Sequence, residues 1–224
     1  MIELKICGDG NQLCLWLVNE YPKKMLVKNL RKELQKVFKE KIEESDTDFE
    51  NKIIKEGLGV FPYGSGLLDT GNEEIPQNGI LILGYDFGGI DYFKKIKNNG
   101  EEKKPTLKGI TEIISEENKN KVFLSNVFMG LRRKGIKNME KLPGLINDKY
   151  VTCCKAFLEI QLENINPKLI IILGNKPYHF LNKNFSNLNA KVLKIPHPGM
   201  WNSNLPKSEF KNIENLKVIV NSNF

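Results

Sequence analysis

Three polar residues stand where short apolar segments of this 224-residue chain give way to turns. Asp86 follows Ile80-Leu-Ile-Leu-Gly84, inside Gly84-Tyr-Asp-Phe-Gly-Gly89. Asn126 closes Val122-Phe-Leu-Ser-Asn126, and His197 sits between Pro196 and Pro198, just past Val192-Leu-Lys-Ile195. A carboxylate can stabilise positive charge growing on a sugar and can orient a water. An asparagine amide offers one acceptor and a donor pair, which fits the N3–H and O4 edge of uracil. A neutral histidine can donate to O2 of a departing base as negative charge builds there, and the flanking prolines stiffen its loop. Together the three suit the breaking of an N-glycosidic bond. Singly, each has a plainer reading: an Asp after a strand is often a cap or turn former, and an Asn there a loop-stabilising amide. The joint pattern, each residue ending its own segment, is what points to chemistry.

The elements that must position these residues follow from periodicity. Ile80–Leu83 and Leu169-Ile-Ile-Ile-Leu-Gly174 read as buried parallel strands, with Val122–Asn126 and Val192–Ile195 as two more short apolar segments. Helical stretches lie between them: Leu107–Glu117 after Pro105-Thr106, Tyr150–Asn164 stopping before Pro167, and Asn175–Leu181 opening after Gly174. Lys217–Val220 is expected to add a last strand. The alternation argues for an α/β domain, a three-layer α/β/α arrangement around a central, mainly parallel sheet of about four strands. In such folds ligands gather at the carboxyl ends of the strands, where Asp86, Asn126 and His197 fall. The expectation is one domain over residues 1–224, with 1–78 an N-terminal helical and loop extension. Within that extension Leu26–Glu44 has a helical period of apolar residues, and Cys14–Val18 is apolar and reads as strand or helix.

Composition narrows the class. Charged residues make up 27% and apolar residues 40%, an ordinary globular balance. The longest apolar runs fall far below the ~20 residues of a membrane helix, and the opening MIELKICGDG lacks a secretory pattern, so the cytoplasm is the expected location. The net charge of +7 comes with only three arginines, Arg31, Arg132 and Arg133. A lysine surplus of that kind is what an AT-rich genome would impose, so charge alone does not name a polyanionic partner. Cys7, Cys14, Cys153 and Cys154 lack the C-x2-C spacing of zinc or iron–sulfur ligands and read as reduced, packed thiols. Gly64-Ser-Gly66 lacks the following Lys-Ser/Thr of a phosphate-binding loop, and His179 reads as structural.

In the order GYDFGG (84–89), VFLSN (122–126), LIIILG (169–174) and PHPGM (196–200), the chain resembles the uracil-DNA glycosylase superfamily over residues 57 to 201. The resemblance implies that Asp86 activates water, that Asn126 reads the uracil edge and that His197 stabilises the uracil anion. Gly84, Tyr85 and Phe87 would line the base site, with Phe87, Tyr92 and Phe93 the candidates to stack on the base. Gly199, Met200 and Trp201 would meet DNA, the last two as a wedge for the gap left by a flipped base. Arg132 and Arg133 read first as a solvated helix start and second as phosphate contacts, and Lys94–Lys104 reads as a surface loop whose lysines would help hold DNA. The implied protein is a monomer that acts on DNA and needs no metal or organic cofactor. Two departures stand out: Gly88 replaces a thymine-excluding Tyr of one branch, and Gly199 replaces the Ser of the family's His-Pro-Ser loop. They keep open a non-catalytic nucleic-acid-binding protein of the same fold, with an α/β enzyme acting on free nucleosides or nucleotides as a third reading.

Overall fold

A computed structural model describes residues 3–6, 13–16, 25–41, 64–69, 71–89, 105–130, 148–198 and 213–222. In chain order the elements are β1 (Glu3–Ile6), β2 (Leu13–Trp16), α1 (Val27–Lys41), β3 (Ile80–Gly84) and α2 (Pro105–Ile113). A 3-10 turn (Glu116–Lys121) leads into β4 (Val122–Asn126), followed by α3 (Asp148–Ile165), β5 (Leu169–Leu173), α4 (Asn175–Asn184), β6 (Lys191–Ile195) and α5 (Ile213–Ser222). β1 and β2 form a small antiparallel pair, so Cys14–Trp16 of the apolar run is strand, and the rest of that run lies outside the described residues.

The central sheet has the order β4-β3-β5-β6 and is parallel throughout. Every residue of β3, β4 and β5 is buried, which is why these strands read as unbroken apolar runs instead of alternating ones. Their side chains alternate between two separate cores. Leu81, Leu83, Ile170 and Ile172 face a layer holding Leu30 and Leu34 of α1, Phe157 of α3 and Leu181 of α4. Ile80, Ile82, Leu169 and Ile171 face Ile110 and Ile113 of α2 and Leu216 and Val220 of α5. Two helical layers around one sheet give the expected three-layer α/β/α fold.

Local chemistry sets the ends of these elements. α3 stops at Asn166, whose φ of 42° is left-handed, whose N–H returns to Leu162 O at 2.8 Å, and after which Pro167 forbids another turn. Asn166 Nδ2 also donates to Asn78 Oδ1 at 2.8 Å, clasping the amino end of the sheet. β4 lies at an edge, yet it is buried because the segment 64–69 runs beside it: Leu124 N–H donates to Gly66 O at 2.6 Å and Leu67 bridges to Phe123. Gly64-Ser-Gly66 thus covers a strand edge, and Arg31 of α1 donates to Gly64 O at 3.2 Å.

One element differs from expectation. Lys217–Val220 is not a strand but part of helix α5. A four-residue apolar run cannot distinguish a period of 2 from one of 3.6. Burial of Leu216 and Val220, four residues apart, with Val218 67% exposed, is the helical pattern. Asn221 then ties α5 to the end of α2. Its amide donates to Ile113 O at 3.2 Å and accepts from Ser115 N–H at 3.2 Å, satisfying groups that a helix end leaves open.

Because Leu34 is fully buried in the core shared with α3 and the sheet, Leu34→Ala should cost about 2–5 kcal/mol. Urea denaturation should show a lower midpoint within one cooperative transition. A separate early transition would mean that α1 folds apart from the sheet.

Candidate functional site

The connection leaving β3 leads to β4 on one side, and that leaving β5 leads to β6 on the other. The two central strands are neighbours whose exits diverge, which opens a crevice at their carboxyl ends. Glycine ends each of them. Gly84 closes β3 beside Asn126, its partner in the ladder, and a Cβ at Gly84 would overlap Asn126 Oδ1. The Asn126 amide therefore lies across the end of β3, on ground that only glycine leaves free. Gly174, with φ of 93°, follows β5 and is bonded to β6 by its N–H to Ile195 O at 2.8 Å. A Cβ there would stand 3.9 Å from His197 Cβ. The Asn126 amide thus lies over the end of β3, and the His197 Cβ stands beside the residue that ends β5.

Asp86 lies in the loop that leaves β3. It is half-buried, and its Oδ1 accepts the Gly88 N–H at 2.7 Å, an Asx turn that fixes the carboxylate relative to the backbone. That loop is laced to the one leaving β4: Val127 N–H donates to Gly84 O at 3.0 Å, Phe128 N–H to Tyr85 O at 3.0 Å and Phe87 N–H to Gly130 O at 3.3 Å. Asp86 and Asn126 are thereby held on one backbone scaffold.

Aromatic rings support this scaffold from below. Phe128 meets Tyr85 edge-on at 5.3 Å, stacks near Tyr150 of α3 at 6.1 Å and meets Phe180 of α4 at 5.0 Å. Such pairs contribute about 0.5–1.5 kcal/mol each beyond their burial. Phe87, a stacking candidate from sequence, is 5% exposed and belongs to the core under the loop. Tyr85 is half-buried, and its ring carries Lys176 Nζ at 5.4 Å.

Behind the rings sit two titratable groups. Burial pushes the Cys154 thiol up to about 12, against the lowering effect of the Met129 backbone N–H and the Tyr150 hydroxyl. Burial likewise holds the Tyr150 hydroxyl well above the ordinary phenol range, helped by the Cys154 thiol and then by the Asp86 carboxylate. Both groups are protonated at neutral pH, so neither acts as a nucleophile. Cys153 and Cys154 are buried thiols outside any disulfide, packed as small apolar residues. The Asp86 carboxylate is thus felt electrostatically by a buried phenol, a relation that sequence did not suggest because Tyr150 reads simply as a helix core position.

The remaining sequence candidates divide by where they fall. Arg132, Arg133, Gly199, Met200 and Trp201 lie outside the described residues, as do Tyr92, Phe93 and the loop Lys94–Lys104. His179 is exposed on α4 beside Tyr178. Two cavities lined by described residues lie away from the crevice, one of about 610 Å³ between α2 and α5 and one of about 210 Å³ at the amino end of β5. Among the described residues, no helix is long and apolar enough to cross a membrane.

A parallel sheet between two helical layers, with polar residues where its central strands part, defines an α/β protein with its candidate ligand site at the carboxyl ends of the strands. Residues 93–219, more than half of the chain, match the family model of the uracil DNA glycosylase superfamily, and the chain belongs to that superfamily. The matched segment includes Asn126 and His197 and begins after the Asp86 loop. No curated protein gives a significant match.

Two outcomes follow from this geometry. Gly84→Ala should displace the Asn126 amide, visible as shifted side-chain amide resonances in an NMR spectrum of the labelled protein; unchanged resonances would mean that the amide does not rest on Gly84. The second concerns pH. Cys154 binds its proton more tightly folded than unfolded, so its contribution is present below about pH 9 and is lost as pH rises towards about 12. Melting temperatures should fall across that window, and less steeply for Cys154→Ala.

Proposed function

We propose that this protein is a DNA glycosylase that hydrolyses the N-glycosidic bond of uracil, or of a related damaged base, flipped out of DNA. Membership of the superfamily supports the glycosylase-like class and DNA as substrate. The observation that carries the reading to these residues is the Asn126 amide over Gly84, with the His197 Cβ beside Gly174. Three strand spacings of about 4.8 Å would otherwise separate the outer strands. The two residues instead stand next to the ends of the neighbouring central strands β3 and β5, which supports their meeting a single base.

In this mechanism the Asn126 amide pairs with the N3–H and O4 edge of the base. Neutral His197 donates a hydrogen bond to O2 as the leaving base gains negative charge. Asp86 stabilises the positive charge developing on the sugar and orients the attacking water, whose proton it accepts. Met200 and Trp201 fill the vacated stack, Arg132, Arg133 and the backbone at Gly199 meet phosphates, and the protein works as a monomer. None of these steps calls on a metal or an organic cofactor.

A second reading, a nucleic-acid-binding protein of this fold without turnover, is favoured by the Asx turn, which commits one Asp86 oxygen to Gly88. One assay separates the two. Incubation with a uracil-containing oligonucleotide, then alkaline cleavage at abasic sites, should give strand breaks that Asp86→Asn and His197→Ala each slow by about 10²–10⁴-fold. Binding without breaks on uracil, hypoxanthine and mismatched substrates would sink the enzymatic reading. Base release from free nucleosides instead of DNA would favour a small-molecule enzyme.

A further inference from the structure

Left-handed backbone at a residue other than glycine occurs twice among the described residues, at Asn78 with φ of 53° and at Asn166 with φ of 42°. The two side chains are joined, because Asn166 Nδ2 donates to Asn78 Oδ1 at 2.8 Å across 88 positions of sequence. Asparagine tolerates this conformation better than most side chains, so neither residue taken singly calls for more. The residue after Asn78 does. Gly79 is buried, and a Cβ there would overlap Lys121 O, just ahead of β4. The turn that opens β3 thus sets an asparagine directly before a glycine that the packing requires.

That adjacency is reactive. With no side chain on Gly79, its amide nitrogen meets little hindrance in attacking the Asn78 side-chain carbonyl. Gly79 N gives its proton to solvent base and bonds to Asn78 Cγ. The Cγ–Nδ2 bond breaks, Nδ2 leaves as ammonia, and a succinimide ring closes. Water then opens the ring at either of its carbonyls. Addition at Cγ gives aspartate, and addition at the main-chain carbon gives isoaspartate, whose backbone runs through Cγ. Asn78 is exposed, so water reaches it. The same contacts that hold the turn restrain the reaction. Cyclisation needs the Asn78 side chain turned onto the following nitrogen, whereas Asn166 holds its Oδ1 towards the end of α3. Asn78 N–H donates to Ile165 O at 2.7 Å and Lys168 N–H donates to Gly79 O at 3.0 Å, which fixes the main chain on either side of the reacting atoms.

We infer that Asn78–Gly79 is a site of self-modification, where the chain converts its own asparagine to aspartate and isoaspartate, and that the Asn166 amide guards it. Reaction proceeds from molecules in which the Asn78–Asn166 pair has opened. Isoaspartate adds one carbon to the main chain between the bonds to Ile165 and Lys168, so the two cannot both persist and the clasp at the amino end of the sheet is lost. The candidate site lies at the other end of β3, a strand length of roughly 15 Å away. Nothing in this chemistry depends on the glycosylase reading.

The test ages the full-length protein in mildly alkaline buffer and follows the peptide that holds Asn78 by mass spectrometry, with aspartate and isoaspartate forms separated chromatographically. Asn166→Gly is aged beside it, since glycine keeps the left-handed turn and removes only the amide. Asn166→Asp, which tolerates the same φ but has no proton to donate, is the second variant, and circular dichroism establishes that both are folded. The parent should form isoaspartate at Asn78. Both variants should form it about fivefold faster, the rise in open population that loss of one net hydrogen bond supports. The rate at Asn99-Gly100, the chain's other Asn-Gly pair, should stay at the parent value. No isoaspartate at Asn78 in the folded parent, when the urea-unfolded chain forms it, would overturn the modification site. Unchanged rates at Asn78 in both variants, or an equal rise at Asn99-Gly100, would overturn the guarding role of Asn166.

Discussion

The parallel pairing of β3 with β5 is the constraint on which the rest depends. Ile80 to Leu83 run in register with Leu169 to Ile172, and both strands are buried on both faces. No polar group along them can reach water, so the backbone must be satisfied by the ladder and the side chains by two helical layers. Chemistry is therefore confined to the strand ends. Because the chain leaves β3 and β5 in opposite directions, those ends part into a crevice.

The same pairing explains why glycine terminates both strands. The ladder sets Gly84 beside Asn126, and a side chain on Gly84 would occupy the space of the amide. At Gly174 the positive φ turns the chain directly from β5 into α4 while its N–H remains bonded to β6. Rigid strands thus deliver the two flanking polar residues, and the loops are laced by backbone bonds above a set of aromatic contacts. Preorganisation of this kind comes from packing the helices already needed to cover the sheet, and it asks little of the loops themselves.

Much of this was legible in the amino-acid order, for identifiable reasons. The run LIIIL admits few structures other than a buried strand once Gly174 and Pro167 bracket it, and the α3 boundary was visible in Asn166-Pro167. Asn126 and His197 could be picked out because a polar residue ending an apolar run is conspicuous. Other features depend on pairing that no local pattern encodes. That Asn126 rests on Gly84 requires the β3–β4 register, and that Phe128 stacks near Tyr150 requires α3 to be laid against the loops. Lys217–Val220 misleads as a strand because four apolar or amphipathic residues are compatible with either period, and only burial on Ile113 and the sheet decides.

The tether made by Asn221 has a consequence for how the chain comes together during synthesis. It joins α5 to residues more than 100 positions earlier, and Leu216 and Val220 complete the core on the α2 side of the sheet. Until residues 213–222 have left the ribosome, Ile80, Ile82 and Ile171 face a layer that is only half built. The layer formed by α1, α3 and α4 can close earlier, since its members all precede β6. The nascent protein therefore passes through a stage in which one side of its sheet is sealed and the other is still open apolar surface, the kind that invites association or a chaperone.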